Sequence, residues 1–98
     1  MHFLITAYDG TDSEAPARRA SARPGHLEYV KDFKKEGKIL YGGAILDDNG
    51  NMIGSMVVAD FPSREALESE WLNDEPYVTQ NVWQKIEIQP FRVAETFL

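Results

Sequence analysis

One histidine and the arginines that precede it are the part of this chain best suited to chemistry. Arg19 and Arg23 come shortly before His26, and the only other histidine is His2. Imidazole transfers protons near neutral pH, and arginine binds anionic oxygens through paired N–H groups. One interpretation makes His26 a general base, with an anionic substrate held by Arg19 or Arg23. The competing interpretation makes His26 a hydrogen-bonded packing residue and leaves the arginines solvated or paired with carboxylates.

Two carboxylates and a serine elsewhere in the chain are further candidates for this site. Asp74 and Glu75 lie at the predicted end of the second helix, where either can orient the His26 ring as the aspartate does in a Ser-His-Asp triad. Asp74 is also suited to capping the turn that follows. Ser55 lies in a predicted central strand, and it either points into the cleft or hydrogen-bonds within the sheet.

Composition excludes several kinds of chemistry. The chain has no cysteine, which excludes disulfides, thiolate metal sites and a cysteine nucleophile. One internal histidine with a carboxylate falls short of a metal-ligand set, and we expect no metal. The formal charge of -6 disfavours nucleic-acid binding, and no apolar run is long enough to cross a membrane. We therefore expect a cytoplasmic protein whose partners are small molecules or another protein.

Strand and helix patterns alternate along the chain. Strands are predicted at residues 2–8, 38–46, 52–60 and 82–91, and helices at residues 24–36 and from residue 63 to about residue 73. Gly37 and Ser63 are typical helix caps, and Asn49-Gly50 between the second and third strands predicts a hairpin. Residues 9–17 carry several turn formers and no apolar period, so we expect a loop there.

Pro24 decides the predicted surroundings of His26. Proline suits the first helical position, because its missing N–H would be unpaired there in any case. A helix that begins at Pro24 places His26 in its first turn, where the helix dipole disfavours the imidazolium and tends to keep the ring neutral. Val30 and Phe33 share the helix face of His26, so the ring should turn towards the sheet.

The second and fourth strands carry two further signals. Gly42-Gly43 either leaves room for a ligand or marks a bulge. In the last strand, alternation groups Ile86 with Gln84 on one face and places Trp83 on the other, while Pro90 favours an edge position.

The order strand, helix, strand, strand, helix, strand predicts the fold. We expect a single α+β domain over residues 1–98, with a ferredoxin-like βαββαβ fold and a four-stranded antiparallel sheet. Helices cover one face of such a sheet, so apolar side chains of the second and third strands would line the other face. A patch of this kind usually marks an interface, and we predict a homodimer that packs sheet against sheet.

Several short segments, taken in order, resemble the YCII-related (YciI-like) family. They are Arg23-Pro24-Gly25-His26-Leu27, Glu36-Gly37-Lys38-Ile39-Leu40 with Gly42-Gly43, Gly54-Ser55, Glu75-Pro76-Tyr77-Val78 and Ile88-Gln89-Pro90-Phe91-Arg92. The resemblance spans nearly the whole chain and implies a dimeric α+β barrel with a site built on a histidine and a carboxylate. His26 matches the family's histidine. Glu75 stands at the aspartate of the family's Asp-Pro-Tyr motif, so either Glu75 or the preceding Asp74 is the expected partner.

The resemblance also implies a function, because a few relatives resemble lactone-processing or dehalogenating enzymes. By this analogy the chain is a cofactor-free enzyme in which His26 moves a proton on a small lactone, phenolic or chlorinated substrate. The alternative is a dimeric module that binds a small ligand without turnover. It predicts a His26 that touches no carboxylate or that bonds to a backbone carbonyl. Related barrels that oxidise quinol-like substrates share the fold but typically lack the Glu-Pro-Tyr element.

Overall fold

The chain forms a four-stranded antiparallel sheet that carries its helices on one face. The computed structural model describes residues 1–98. The strands are β1 (His2–Asp9), β2 (Ile39–Leu46), β3 (Met52–Asp60) and β4 (Trp83–Phe91), and the helices are α1 (Ala15–Lys35), α2 (Arg64–Glu70) and α3 (Pro76–Thr79). The spatial order β2-β3-β1-β4, antiparallel throughout, confirms the predicted ferredoxin-like fold.

Strand β1 lies at the centre of the core. Its side chains alternate, so that Phe3, Ile5 and Ala7 are buried beneath the helices. Leu67 of α2 and Trp71, which follows that helix, are fully buried in the same cluster. Burying large apolar side chains is the main stabilising term of a domain this small, at roughly 1.5–3 kcal/mol for each.

Helix α1 begins at Ala15 and not at Pro24, which corrects both the predicted helix start and the predicted loop over residues 9–17. Pro16 lies in the first turn and takes the place that the sequence assigned to Pro24. Pro24 is inside the helix, but it is exposed, so water can satisfy the carbonyl that its ring leaves without a donor. The residues that α1 buries are Ala15, Arg19 and Ala22. The first half of its inner face therefore lacks the large apolar residues that reveal a helix in a sequence.

The predicted caps and hairpin are confirmed. Gly37 has a φ of +75° after α1, where the Gly37 N–H donates to the Lys34 carbonyl and the Lys38 N–H to the Phe33 carbonyl. Ser63 Oγ accepts from the backbone N–H of Ala66 and caps α2.

None of the helices has the length and apolar character that a membrane span requires.

Strand β4 is an edge strand, as Pro90 indicated, but one of its residues faces the other way from the prediction. The pairing with β1 shifts between Tyr8 and Asp9, so that Tyr8 opposes Lys85 and Asp9 opposes Trp83. This extra residue turns the Trp83 side chain into the core, where it is 4% exposed. Strict alternation fails here because a bulge changes the face of every residue beyond it.

The face of the sheet opposite the helices is only partly covered. An apolar groove of about 580 Å³ crosses it, and its walls include Leu40, Tyr41, Val58, Val93 and Phe97. Tyr41 is 69% exposed and Phe97 is 82% exposed. This open face is the one that the sequence predicted to carry apolar side chains.

Candidate active site

His26 lies in the middle of α1, about three turns after Ala15, and it is part of a stripe with Arg19 and Arg23. This position corrects the predicted environment, because the effect of a helix dipole fades within the first turn. The dipole therefore does not hold the His26 ring neutral. The side chain is 13% exposed, and it faces the start of α3 and the sheet.

Glu75 is the carboxylate that contacts His26. Its Oε1 and Oε2 atoms lie 2.8 and 2.9 Å from His26 Nδ1. Glu75 is completely buried, and its Oε1 also accepts from the backbone N–H of Tyr77, which caps α3. An ionised carboxylate only accepts hydrogen bonds, so His26 Nδ1 carries a proton and donates it. His26 Nε2 makes no hydrogen bond within the chain and is the ring atom left for chemistry.

Asp74, the other candidate carboxylate, is exposed in the 3-10 turn Leu72–Asp74 and makes no side-chain bond to His26. The local chain direction explains the difference. Glu75 adopts an extended conformation (φ -62°, ψ 125°) before Pro76, which turns its side chain inwards as the cap of α3. The Asp74 side chain, one residue earlier, points to solvent.

Tyr77 is the main aromatic contact of His26, a role that was not predicted from the sequence. The two rings stack with centroids 3.9 Å apart and an interplanar angle of 10°. Trp83 meets the His26 ring edge-on at 5.9 Å, so the imidazole is held between aromatic side chains and Glu75. The position of Tyr77 directly after Glu75-Pro76 was the available signal, since the helix cap that turns Glu75 inwards also brings the tyrosine to the histidine.

Arg19 is a buried residue whose guanidinium is already bonded within the protein. It is 5% exposed, and its Nη1 donates to both carboxylate oxygens of Asp9 at 2.9 and 3.0 Å. Its Nη2 donates to Ser55 Oγ at 2.9 Å. Asp9 was predicted to begin a loop, and its ion pair with Arg19 was not predicted, because the two residues meet only when α1 packs across the end of β1.

Ser55 and Arg23 complete the polar side of the site in different ways. Ser55 is 3% exposed, and its Oγ also accepts from the indole N–H of Trp83 at 3.1 Å. With two N–H donors on its oxygen, Ser55 keeps its own hydroxyl hydrogen free to donate.

Arg23 lies one helical turn after Arg19, is exposed, and forms no ion pair. It is the arginine of this stripe that is free to meet an anion.

Several of the residues described above line one cavity of about 280 Å³ between α1 and the sheet. Its polar lining is Arg19, Arg23, His26, Ser55 and Tyr77, and its apolar lining is Leu27, Val30, Ile39, Ala44 and Val57, with Gly42 and Gly43 between them. A volume near the low end for small-molecule sites suits a compact ligand with one ring.

Gly42-Gly43 lies within the regular ladder, opposite Val57 and Met56, and the register shifts of β2 fall on either side of the pair. A Cβ atom at Gly42 would lie 3.1 Å from the Met56 carbonyl oxygen and 3.7 Å from a Val57 methyl group. The glycine pair thus borders the cavity and does not mark a bulge, so the bulge interpretation is wrong and the room beside the pair belongs to the cavity.

The arrangement resembles a base and its orienting acid. Glu75 holds one imidazole nitrogen, the other is free, and a nearby arginine is unpaired. No group of three or more His, Cys, Asp or Glu side chains in the chain is placed to hold a metal ion.

Comparison with known proteins identifies relatives over almost the whole chain. The YCII-related domain family matches residues 1–92. Protein YciI of Escherichia coli O6:H1 and Protein YciI of Shigella flexneri are each 34% identical over 98 residues, covering 94% of this chain and 97% of each relative.

Solved structures share the fold. The 5-chloro-2-hydroxyhydroquinone dehydrochlorinase TftG from Burkholderia phenoliruptrix AC1100, solved with 2,5-dihydroxybenzoquinone, superposes with a TM-score of 0.81 at 21% identity over 98% of both chains. An antibiotic biosynthesis monooxygenase gives a TM-score of 0.55 at 16% identity, over 96% of this chain and 99% of the other. At these identities the likeness establishes the fold alone.

The family resemblance predicted from the sequence is confirmed. Because the family profile covers residues 1–92 and two curated relatives are 34% identical over most of the chain, this protein belongs to the YCII-related (YciI-like) family.

Proposed function

We propose that the cavity beside His26 is the active site of a cofactor-free enzyme that moves a proton on a small acidic or phenolic substrate. The observation that carries this proposal is the bond between His26 Nδ1 and the buried Glu75, which leaves Nε2 without a hydrogen bond on a side chain that lines the cavity. Glu75 selects the ring nitrogen that acts as the base and stabilises the imidazolium that forms.

Arg23 is the proposed anchor for the anionic group of the substrate. It lines the cavity and forms no ion pair, and a guanidinium can bind a carboxylate or phenolate oxygen through paired N–H groups. Arg19 contributes only its positive charge to the cavity, because its Nη1 and Nη2 groups are already bonded to Asp9 and Ser55. The Ser55 hydroxyl hydrogen is a further donor for a substrate oxygen. The apolar lining suits an aromatic or quinonoid ring beside these polar groups.

Chlorinated hydroxyquinones are the first substrates to test, because TftG, whose fold this chain shares, is named as a dehydrochlorinase of such a compound. In a dehydrochlorination, His26 Nε2 would take a proton from a substrate hydroxyl or ring carbon. The electron pair left behind would form a new π bond, and chloride would leave with the electrons of its bond to carbon. Lactones are the second class, since they offer an acidic C–H next to a carbonyl.

The alternative, a binding module without turnover, predicted a His26 that contacts no carboxylate. The 2.8 Å contact with Glu75 disfavours that reading. A module of this kind would bind the same small anions but release them unchanged, so an assay of turnover separates the two functions.

We also propose that the open face of the sheet is covered by a second copy of the chain. The support is the apolar groove of about 580 Å³ and the exposed Tyr41 and Phe97 side chains along it. Sedimentation at micromolar protein should show a species of twice the 11.1 kDa chain mass. A monomer of 11.1 kDa alone would remove this part of the proposal.

The test of the enzyme is turnover of chlorinated hydroxyquinones and lactones by the wild type and by His26→Ala. We expect the wild type to turn over at least one substrate, with chloride or proton release as the readout. We expect His26→Ala to lose roughly 100-fold or more, as is typical when a general base is removed. A wild type without turnover, or an equally active His26→Ala variant, would contradict the proposed function.

A further inference from the structure

We infer that Tyr77 is a second catalytic residue of this site, whose hydroxyl donates a hydrogen bond to the substrate oxygen that becomes negative when His26 removes a proton. The inference rests on the proposed function and adds a residue with a defined role to it. It is carried by the unpartnered Tyr77 hydroxyl, by the contacts that fix the ring, and by its place in the cavity wall.

The Tyr77 hydroxyl has no partner in the chain, and although the residue is only 1% exposed, its oxygen is not among the fully buried polar atoms that lack a partner, so the small accessible part of the side chain includes the hydroxyl. Tyr29 is the natural comparison, since its hydroxyl donates to the Trp71 carbonyl at 2.6 Å. The hydroxyl of a buried tyrosine normally finds such a partner. At Tyr77 the hydroxyl instead belongs to a side chain that lines the cavity, beside His26 and Arg23. A ligand oxygen in the cavity would supply the missing acceptor.

The Tyr77 ring is fixed from several sides. It stacks on His26 at 3.9 Å, its backbone N–H donates to Glu75, and Trp83 meets its edge at 5.4 Å. The guanidinium carbon of Arg19 lies 4.7 Å from the ring centroid. A donor held in place in this way needs no reorganisation when charge develops, which is the property that makes oxyanion-stabilising groups effective.

The Tyr77 hydroxyl also keeps its proton at neutral pH. Burial raises the pKa of Tyr77 above its usual value near 10, and the opposing pull of Arg19 and Arg23 is smaller. Tyr77 is therefore a hydrogen-bond donor and not a base under working conditions.

The step balances with two protein groups. His26 Nε2 accepts a proton from a substrate C–H or O–H, and the electron pair left behind is shared with the conjugated substrate oxygen. Tyr77 keeps its own proton and hydrogen-bonds to that oxygen. The accepted proton stays on Nε2 of the imidazolium, whose Nδ1–H faces Glu75, until it passes to the product or to water.

The test is Tyr77→Phe, with Tyr29→Phe as the matched control. Both variants remove one hydroxyl and keep the ring. Tyr77→Phe loses no hydrogen bond within the protein, so we expect an unchanged melting temperature, roughly 100-fold lower kcat, and a KM within a few-fold of the wild type. Tyr29→Phe loses its bond to the Trp71 carbonyl, so we expect a lower melting temperature with unchanged kcat.

A second readout uses 2,5-dihydroxybenzoquinone as a probe that need not react. Its titration into the wild type and Tyr77→Phe, followed by absorbance, should show about 10-fold weaker binding to the variant. A Tyr77→Phe enzyme with wild-type kcat would overturn the inference and leave the proposed function intact. A wild type that neither turns over substrate nor binds the probe would overturn both.

Discussion

The two histidines of this protein are bonded in opposite ways. His26 directs Nδ1 at the carboxylate of Glu75, at 2.8 Å, and its Nε2 makes no hydrogen bond, while the side chain lines the cavity. His2, in the first strand, directs Nδ1 at the backbone N–H of Val93, at 3.0 Å, and its Nε2 lies 3.9 Å from Asp60. The group facing Nδ1 is an acceptor in one case and a donor in the other.

This difference determines which ring nitrogen can accept a proton. A backbone N–H only donates, so His2 Nδ1 must supply its lone pair, and the proton of the neutral ring lies on Nε2 towards Asp60. His2 thus uses its basic nitrogen to tie the chain ends together. At His26, Nδ1 carries the proton that it donates to Glu75, so the lone pair of Nε2 remains available. A histidine beside a carboxylate is therefore a candidate base only when the carboxylate leaves the other nitrogen accessible.

The largest expected effect separates the two carboxylates that face these histidines. Glu75→Gln keeps the side-chain shape but removes the charge that stabilises the imidazolium, so we expect kcat to fall by about 100-fold or more. Asp60→Asn makes the same change beside His2 and should leave kcat within about two-fold. Asp74→Asn should also be silent, since Asp74 does not bond to His26. Steady-state kinetics would contradict this distinction if Asp60→Asn or Asp74→Asn lowered kcat as far as Glu75→Gln does.

A smaller effect is expected from the unpaired arginines near each histidine. Arg23 lines the cavity of His26, and Arg92 lines the surface hollow beside His2. Arg23→Gln removes a charge-assisted contact to an anionic substrate, so KM should rise about 10-fold with little change in kcat. Arg92→Gln should leave both constants unchanged. Equal KM values for the two variants would place the anion elsewhere.

The structural role of His2 predicts a modest change in stability. His2→Ala removes the acceptor of the Val93 N–H, and we expect the free energy of unfolding to fall by about 1 kcal/mol. Urea unfolding measures this loss, and turnover should remain at the wild-type level. A His2→Ala variant that loses turnover but keeps its stability would contradict the structural role of His2.

The finest distinction is the position of a single proton. At a pH where both rings are neutral, two-bond nitrogen-proton NMR spectra should show His26 protonated on Nδ1 and His2 protonated on Nε2. The His26 ring protons should also shift upfield, because Tyr77 stacks on the ring at 3.9 Å. The same tautomer at both positions would contradict the assignment.

Much of the fold followed from local signals in the sequence. Gly37, Ser63 and the turn before Met52 end or begin their elements as predicted, since caps and tight turns depend on a few adjacent residues. The start of α1 was wrong, because its early inner face carries Ala15, Arg19 and Ala22, and small or charged residues leave no apolar period to detect. Trp83 was assigned to the wrong face, because one bulged residue reverses strand alternation.

For the site, the sequence by itself determined the candidate residue types: a lone internal histidine, two adjacent carboxylates far along the chain at Asp74 and Glu75, and two arginines one helical turn apart. Only the tertiary structure chose Glu75 over Asp74, engaged Arg19 with Asp9 while leaving Arg23 unpaired, and brought Tyr77 onto His26. These choices depend on how α1 packs against β1 and the start of α3. Contacts between residues far apart in the chain are set by that packing, and no local pattern encodes them.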